Sequence, residues 1–480
     1  MFSLALPKPA SADQGQIPEN RVPARLEPMV VQAHAFAETP ELFKLGPGQP
    51  VVAPTGDGQG RTTPVHYFRR SLKAKGALSQ RDPVIQSFMP LRNTPSPNLT
   101  FDGVNSNCGC TPPDPNGAVG PNNYVSIVNT HFQVFNKFTG AAQTSIIPIN
   151  NLFSSLGNGS LCATTDDGDP IVLYDQLADR WLIAQFANAN SSTGPWYMSI
   201  AVSKTPDPTG AYYVYCFQTP GSKFPDYPKL GVWPDGYYMT DNQFNGAGNT
   251  FLGVGVFAFD RAKMLAGDPT ASYIYFDLNS LSTTIFGMLP SSVDGPPPPI
   301  GTPNYFTYYT SLQNNDPQNG LRVFQFHADF AHTNLATFTE RSESPISVAA
   351  FTPFASSGSG DIPQPGTSEQ VDSLADRLMF RLQYRNFGTN ETLVMTHTVV
   401  GGSSQAAIRY YQLNRSLPGG SFVVYDQATY APDAEYRWMG SAALNYRGDL
   451  AVGYSLSSSS NYPSICYAAR LATDPTGGLA

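Results

Sequence analysis

The sequence predicts an all-β fold, and a β-propeller in particular. Tyr (25) and Phe (29) are abundant among the 480 residues, and so are Gly (42) and Pro (43). Aromatic residues suit half-buried strands, while Gly and Pro suit the turns between them. From Asn98 onward, short strand-like runs such as YVSIVNTHFQVF (residues 124–135) alternate with turn signals. Many short strands with regular turns indicate a sandwich, a barrel or a propeller.

Internal similarity favours the propeller among these three architectures. Blades repeat one supersecondary unit around an axis, so short patterns recur at their turns. We favour six or seven blades, and the spacing is also compatible with five. The recurring patterns are Asp-Pro-Thr before a tyrosine-rich strand (from Asp207 and from Asp268), Leu-Ala-Asp-Arg (177–180 and 374–377), and a Gly turn before an aromatic strand (234–240 and 447–455).

The chain divides into two parts of different composition. Residues 1–95 are rich in Pro, Gly, Gln and Ala, as in LGPGQPVVAPTGDGQGRTTP. Such a segment buries little apolar surface, so we predict an irregular N-terminal arm, linker or pro-segment. Residues 96–480 are predicted to form the propeller, with a helix expected only at 261–265.

Charge and hydropathy exclude some partners and suggest export. The net charge is −8 and no long block of Lys or Arg occurs, so nucleic acid is not expected as a ligand. No apolar run of 18 residues is present, so no membrane span is expected. The first residues, MFSLALPKPASA, end like a cleavage site but have too short an apolar part for a signal peptide. The composition nevertheless predicts a secreted protein.

The five cysteines predict a disulfide-bonded protein. Cys-Gly-Cys at 108–110 lacks the spacing of a zinc or thioredoxin motif. We expect one or two disulfides, with Cys108 or Cys110 bridged to Cys162, because both segments are turn-rich loops before a strand pair.

Four long motifs resemble a family of bacterial secreted propeller-like proteins that is mostly uncharacterised. The resemblance covers residues from about 100 to 475 and implies an exported propeller, but it assigns no catalytic residue. The motifs are DGDPIVLYDQLADRW (167–181), DYPKLGVWPDGYYMT (226–240), LADRLMFRLQYRNFG (374–388) and YRWMGSAALNYRGDLAVGYSLSSSSNYPSI (436–465).

A looser similarity links the chain to sialidase-like and glycosidase propellers. Their repeated Asp boxes are matched only in part by SKTPDPTGAYY (203–213), which has an inserted Pro and no Trp. A sialidase site would need three arginines, for which Arg409, Arg437 and Arg470 are available, although no spacing enforces that choice.

An acidic loop predicts a calcium site. Asp167 and Asp169 lie on either side of Gly168, directly after Asp166. Carboxylates alternating around a glycine can wrap a hard cation, and calcium is the natural extracellular candidate. The alternative is a turn in which these side chains cap backbone N–H groups.

The predicted ligand site combines carboxylates with aromatic and basic residues at the axial face. Asp226 and Asp235 are the candidate catalytic residues, and Asp169 is an alternative partner for Asp226. A glycosidase needs two carboxylates that face each other across the sugar. Tyr227, Arg437 and Trp438 are the candidate ligand-binding residues. Each of these residues is also compatible with a purely architectural role in its blade.

Three function hypotheses follow. The first is a secreted propeller that binds or processes carbohydrate, with an extracellular glycan or cell-surface component as partner. The second is a non-catalytic structural or adhesive protein of the envelope or matrix, and the third is an enzyme of another class. No His-Glu-x-x-His, Gly-x-Ser-x-Gly or phosphate-loop motif occurs, so zinc hydrolases, serine hydrolases and nucleotide enzymes are not expected.

Overall fold

Antiparallel sheets make up most of the regular structure in the computed structural model. The structure describes residues 26–45, 81–88, 94–106, 108, 112–246, 250–282, 284–314, 316–354 and 361–480. Its sheets are arranged as a propeller, as the sequence predicts. Three short strands come first in the chain: β1 (Met29–Gln32), β2 (Ala35–Glu38) and β3 (Ile85–Gln86).

Six antiparallel units then follow in the described residues. The first unit consists of β4 (Asn116–Val119), β5 (Asn123–Val128), β6 (His131–Asn136) and β7 (Ile147–Pro148). The second consists of β8 (Gly168–Asp175), β9 (Arg180–Ala187), β10 (Tyr197–Ser203) and β11 (Tyr212–Gln218). The third consists of β12 (Lys223–Val232), β13 (Gly236–Asn245), β14 (Phe251–Asp260) and β15 (Ser272–Asp277).

The last three units complete the arrangement. The fourth unit consists of β16 (Leu289–Val293), β17 (Asn304–Thr310), β18 (Gly320–His327) and β19 (Thr337–Glu340), with β20 (Ile346–Ser347) paired to β18. The fifth consists of β21 (Met379–Asn386), β22 (Asn390–Val400), β23 (Ala406–Ser416) and β24 (Val423–Tyr430). The sixth consists of β25 (Tyr436–Leu444), β26 (Leu450–Ser457) and β27 (Ser464–Arg470). A parallel pairing between β16 and β21 joins the fourth and fifth units into one ten-stranded sheet.

Short helices connect some of these strands. They are α1 (Ile149–Leu152), α2 (Leu161–Thr164) and α3 (Arg261–Ala266). The third lies where the sequence predicts a helix, and the carboxylate of Asp260 accepts a hydrogen bond from the N–H of Lys263 at its start. This is the usual way in which an Asp caps a helix N-terminus. The first two helices were not predicted, because each is only four residues long.

The apolar core lies between neighbouring units. Strands such as β10 are buried along their whole length, because each face of the sheet is covered by the next sheet. One buried cluster joins Phe132 of the first unit to Trp181 of the second, and another joins Ile200 of the second to Met239 of the third. The first strands of consecutive units, β4, β8, β12, β16, β21 and β25, therefore lie side by side.

The described part of the predicted N-terminal arm is not irregular throughout. Strand β1 pairs with β15 and β2 pairs with β11, so both extend a propeller sheet by a fifth strand. Strand β3 pairs in parallel with β24. These contacts are between backbone groups, and the composition of the segment gave no sign of them. The proposed division of the chain at residue 95 stays a prediction.

The cysteine pairing differs from the prediction. Cys162, at the start of α2, is bonded to Cys216 in β11, and both side chains are buried. The expected bridge from Cys108 or Cys110 to Cys162 is therefore wrong; Cys110 lies outside the described residues. Segments that are both loops before a strand pair need not be neighbours, and α2 instead packs against its own sheet. Cys466 is the free thiol in the described part of the chain.

The disulfide is expected to stabilise the second unit. It closes a loop with a sequence separation of 54 residues, and a crosslink of this length restricts the unfolded chain. Replacing both Cys162 and Cys216 by Ala should lower the free energy of unfolding by about 2–5 kcal/mol in denaturant melts. The Cys466→Ala variant is the control and should melt like the wild type. Equal midpoints for all three proteins would contradict the prediction.

Candidate functional site

Four of the first strands of the units, β8, β12, β21 and β25, contain a bulge. A bulge inserts one extra residue, interrupts the ladder and redirects side chains, and bulges are common next to active sites. Three of the bulged segments hold a residue with positive φ, which is uncommon for residues other than Gly: Asp169 (46°), Tyr227 (54°) and Met439 (50°). The register shifts lie between residues 168 and 171 in β8, 226 and 229 in β12, 379 and 383 in β21, and 438 and 441 in β25.

Charged side chains from four units converge beside these bulges, and we refer to them as the axial cluster. Asp114 lies directly before β4, Asp169 is in β8, Asp226 and Lys229 are in β12, and Arg377 lies directly before β21. Each acidic member interacts electrostatically with others of the cluster. The cluster thus combines three carboxylates with two cations, drawn from segments that are far apart in the chain.

Asn129 holds two of the carboxylates in place. Its side-chain Nδ2 donates to Asp114 Oδ2 at 2.7 Å, and its Oδ1 accepts from the N–H of Asp169 at 2.9 Å. The N–H of Tyr227 in turn donates to Asp169 Oδ2 at 3.0 Å. The side chain of Asp114 also raises the pKa of Asp169, which favours the protonated form of Asp169.

Gly168 leaves the space that this network needs. Its φ is +115°, and a Cβ at this position would lie 2.6 Å from Oδ1 of Asn129. Any side chain would therefore displace the amide that binds Asp114 and Asp169. The glycine in the motif Asp-Asp-Gly-Asp is thus required by the axial cluster.

Two cations lie against the ring of Tyr227. Nζ of Lys229 is 3.7 Å from the ring centroid, and Cζ of Arg377 is 4.5 Å from it. Arg377 also forms an ion pair with Asp376 at 2.8 Å. Gly287 allows its close approach, because a Cβ there would lie 2.4 Å from Cβ of Arg377. The aromatic ring therefore positions both cations of the cluster beside its carboxylates.

Burial and mutual repulsion raise the pKa values of Asp169 and Asp226, so these two carboxyl groups hold protons at unusually high pH. Burial raises the pKa of Asp226 to about 7, with Arg377 limiting the rise and Asp114 adding to it. Burial also raises the pKa of Asp169 well above its usual range, and the charges of Asp114 and Asp226 raise it further. Burial lowers the pKa of Lys229, although Asp169 opposes this effect. These are the perturbations that chemistry by proton transfer requires.

Members of the cluster differ in their access to solvent. Asp169 and Lys229 are each 8% exposed, and Arg377 is also buried. Asp114, Asp226 and Tyr227 are half-buried. The cluster therefore combines fully buried groups with groups that are partly exposed.

The structure brings only some of the predicted site residues together. Asp226 and Asp169 both belong to the axial cluster, and the Tyr227 ring lies against its two cations, so the alternative pairing of Asp226 with Asp169 is the one that the geometry supports. Asp235 lies nine residues after Asp226, in the turn at the far end of β12, where its carboxylate accepts a hydrogen bond from Tyr238 at 3.0 Å. An extended strand rises about 3.3 Å per residue, so Asp226 and Asp235 do not face each other.

Arg437 and Trp438 lie in the last unit and not in the axial cluster. Arg437 binds Asp433 at 2.6 Å, and Trp438 is buried beside Phe354 and Ala375. The Trp438 ring is therefore not a free stacking platform, because it is only 4% exposed.

The three arginines considered for a sialidase site are held separately. Arg409 pairs with Asp82 at 2.8 Å and Arg470 pairs with Asp426 at 3.1 Å, while Arg437 has its own partner in Asp433. Each guanidinium thus has a local structural carboxylate.

Calcium at Asp167 and Asp169 stays a prediction. Asp167 accepts a hydrogen bond from the N–H of Ala189 at 3.0 Å, and Asp169 accepts one from Tyr227. Among the described residues, no group of three or more His, Cys, Asp or Glu side chains is arranged to hold a metal ion.

None of the described helices is long and apolar enough to cross a membrane.

The predicted site residues do not include four that the structure places here: Asp114, Asn129, Lys229 and Arg377. Asn129 follows a strand and carries no motif, so its role is visible only in three dimensions. Lys229 and Arg377 lie within the quoted motifs but were not selected. For Arg377, the one sequence feature that could have drawn attention to it is the repeated Leu-Ala-Asp-Arg pattern, whose second copy ends at this residue.

Comparison with known proteins adds no family assignment. No family model matches the chain, and no curated protein matches its sequence. The expected membership of a bacterial secreted family therefore stays a prediction.

Solved structures with some similarity are themselves propeller enzymes or enzyme-like proteins. The GH43 endo-arabinanase from Bacillus licheniformis has a TM-score of 0.32 and 8% identity, covering 74% of this chain and 92% of its own. The N10 neuraminidase-like protein of influenza A from a little yellow-shouldered bat has a TM-score of 0.38 and 8% identity, with coverages of 75% and 95%. Levansucrase from B. subtilis has a TM-score of 0.35 and 8% identity, with coverages of 77% and 88%. Similarity at this level assigns no residue role to this chain.

The raised pKa of Asp226 predicts a stability that falls with increasing pH. The folded protein keeps this proton up to about pH 7, whereas the unfolded chain releases it near the ordinary aspartate pKa of 3.8. Stability is therefore lost as the pH rises through this window, by at most about 1.4 kcal/mol per pH unit. In Asp226→Asn the group cannot ionise, so the stability of this variant relative to the wild type should rise from about pH 4 to about pH 7 and stay level above that.

Denaturant melts over this pH range provide the measurement. The exposed Asp102 supplies a matched control, and Asp102→Asn should run parallel to the wild type. A constant difference between the wild type and Asp226→Asn at every pH would contradict the prediction.

Proposed function

We propose that this chain is a secreted β-propeller that binds carbohydrate at the axial cluster and hydrolyses a glycosidic bond there. The observation that carries the proposal is the convergence of Asp114, Asp169 and Asp226 beside two cations, with a pKa of about 7 at Asp226. A general acid works best when its pKa is near the operating pH. Export is supported by the buried disulfide between Cys162 and Cys216, because such bonds persist in oxidising compartments.

Asp226 is the proposed general acid. It is half-buried and hence accessible, and near neutral pH a large part of its population is protonated. It would transfer this proton to the glycosidic oxygen as the bond from that oxygen to the anomeric carbon breaks. The resulting carboxylate would be stabilised by Arg377, whose charge already opposes the rise of the Asp226 pKa.

The neighbouring carboxyl groups of Asp114 and Asp169 are the proposed general base. One proton shared between two carboxyl groups leaves one negative charge on the pair. That charge can accept the proton of a water molecule as the water oxygen bonds to the anomeric carbon. Release of the proton to solvent and reprotonation of Asp226 would complete the cycle. Asn129 acts here as a positioning residue, because it fixes Asp114 and the backbone of Asp169.

Tyr227 and the two cations complete the proposed site. The Tyr227 ring is half-buried, and Lys229 and Arg377 lie against it. These cations reduce the repulsion among the three carboxylates, so the cluster can keep a mixed protonation state near neutral pH. Loss of either cation would favour full protonation of the carboxyl groups and would remove the base.

A hydrolysis screen tests this proposal. Release of reducing sugar from neutral oligosaccharides should fall about 10²–10⁴-fold in kcat for Asp226→Asn, since the variant cannot donate the proton. The Asp235→Asn variant is the matched control, because Asp235 lies at the other end of β12, and it should keep wild-type turnover. Wild-type turnover in Asp226→Asn, or loss of turnover in Asp235→Asn, would contradict the assignment. Binding without turnover by the wild type would leave a non-catalytic carbohydrate-binding protein.

A further inference from the structure

Strand β21 carries two arginines beside a single carboxylate. Arg381 and Arg385 lie in β21, on either side of Gln383, and Asp294 follows β16 directly. The parallel pairing of β16 with β21 places Asp294 next to these residues. We refer to Arg381, Gln383, Arg385, Asp294 and Gly295 as the two-arginine site. It shares no residue with the axial cluster.

The carboxylate of Asp294 is held by Arg381 and Gln383. Nη1 of Arg381 donates to Oδ1 of Asp294 at 3.2 Å, and Nη2 of Arg381 donates to Oδ2. Nε2 of Gln383 also donates to Oδ2, at 2.6 Å. The side chains of Arg381 and Asp294 are 27% and 25% exposed, so this ion pair is in contact with solvent. Both carboxylate oxygens are therefore committed to partners other than Arg385.

The guanidinium of Arg385 has two nitrogens that are open to a ligand. Its Nε donates to the carbonyl O of Leu444 at 3.0 Å, but Nη1 and Nη2 form no hydrogen bond with any described residue. Neither nitrogen is among the enclosed polar atoms of the described chain, so both contact solvent. Gly295 leaves room beside them: its φ is +83°, and a Cβ there would lie 2.6 Å from Nη1. The terminal fork of Arg385 is thus accessible, although the residue is half-buried.

The charges around Arg385 do not balance. Burial lowers the pKa of Arg385, and the charge of Arg381 lowers it further, whereas the charge of Asp294 raises it. A lowered pKa means that the charged guanidinium is less favourable here than in water. Two guanidinium groups share one carboxylate, so the site as a whole has one net positive charge. An anion in contact with Arg385 would supply the second negative charge.

The geometry of a guanidinium indicates which anion fits. Its planar fork of N–H donors matches the two oxygens of a carboxylate or phosphate group, and such charge-assisted bidentate pairs are strong. A neutral sugar or a cation would leave the charge of Arg385 without a counter-charge. We propose that the two-arginine site binds a small oxyanion, a phosphate or carboxylate group, independently of the reaction proposed for the axial cluster.

Calorimetric titration of the full chain with inorganic phosphate and with glucuronate, at constant ionic strength, tests the proposal. The wild type should bind at least one of the two anions. Arg385→Gln should weaken this binding about tenfold or more, because it removes both the charge and the fork. Asp294→Asn should strengthen it several-fold, because it removes the negative charge that competes with the ligand.

Arg322→Gln is the matched control. The Arg322 side chain is 28% exposed, like that of Arg381, but it has its own carboxylate partner in Glu340, so this variant should bind the anion like the wild type. All variants are first checked for an unchanged melting temperature. Arg385→Lys keeps the charge without the fork; it should also weaken binding, and it replaces Arg385→Gln if that variant does not fold.

The outcomes separate the anion sources and the two sites. Binding of phosphate alone identifies a phosphate site, and binding of glucuronate alone identifies a carboxylate site; both results support the proposal when Asp226→Asn binds like the wild type. The proposal is overturned if neither anion binds, or if the Arg385 and Asp294 variants bind like the wild type. Loss of binding in Asp226→Asn but not in the Arg385 variants would move the anion to the axial cluster and would also overturn it.

Discussion

Each sheet of the propeller is apolar on both faces, so it is stable only between two neighbours. The pairs Phe132 with Trp181 and Ile200 with Met239 lie in the buried layers between successive units. This face-to-face packing fixes the first strands of the units side by side, and it brings Asp114, Asp169 and Asp226 to one place although more than 50 residues separate each from the next. The apolar contacts therefore determine where the charged groups meet.

The axial cluster is maintained at a cost to stability. Three carboxyl groups and two cations are partly or fully removed from water, and the positive φ of Asp169 and Tyr227 adds backbone strain of about 1–3 kcal/mol per residue. Asn129, Gly168 and the ring of Tyr227 hold this arrangement together. Strain, burial and coupled protonation coincide at one point of the molecule, which is typical of functional sites.

The sequence was informative about the fold because turns and strands carry local signals. The Asp-Pro-Thr pattern marks the connection between the third and fourth strands in both the second and third units, and PDGYY and RGDLA mark the turn after the first strand in the third and sixth units. Leu-Ala-Asp-Arg does not mark equivalent positions, because its first copy is the turn after β8 and its second precedes β21.

The site was harder to predict, because it depends on contacts between distant segments. Asp226, Tyr227 and Asp169 were selected for their residue types, but no local pattern shows that Asp226 faces Asp169 and not Asp235. The same holds for the disulfide, since loop character at Cys108 and Cys162 says nothing about their distance.

The proton held by Asp226 near neutral pH is measured most directly by NMR titration of ¹³C-aspartate-labelled protein. A carboxyl resonance that titrates near pH 7 and is missing in Asp226→Asn is expected; titration of every aspartate below about pH 5 would contradict the account.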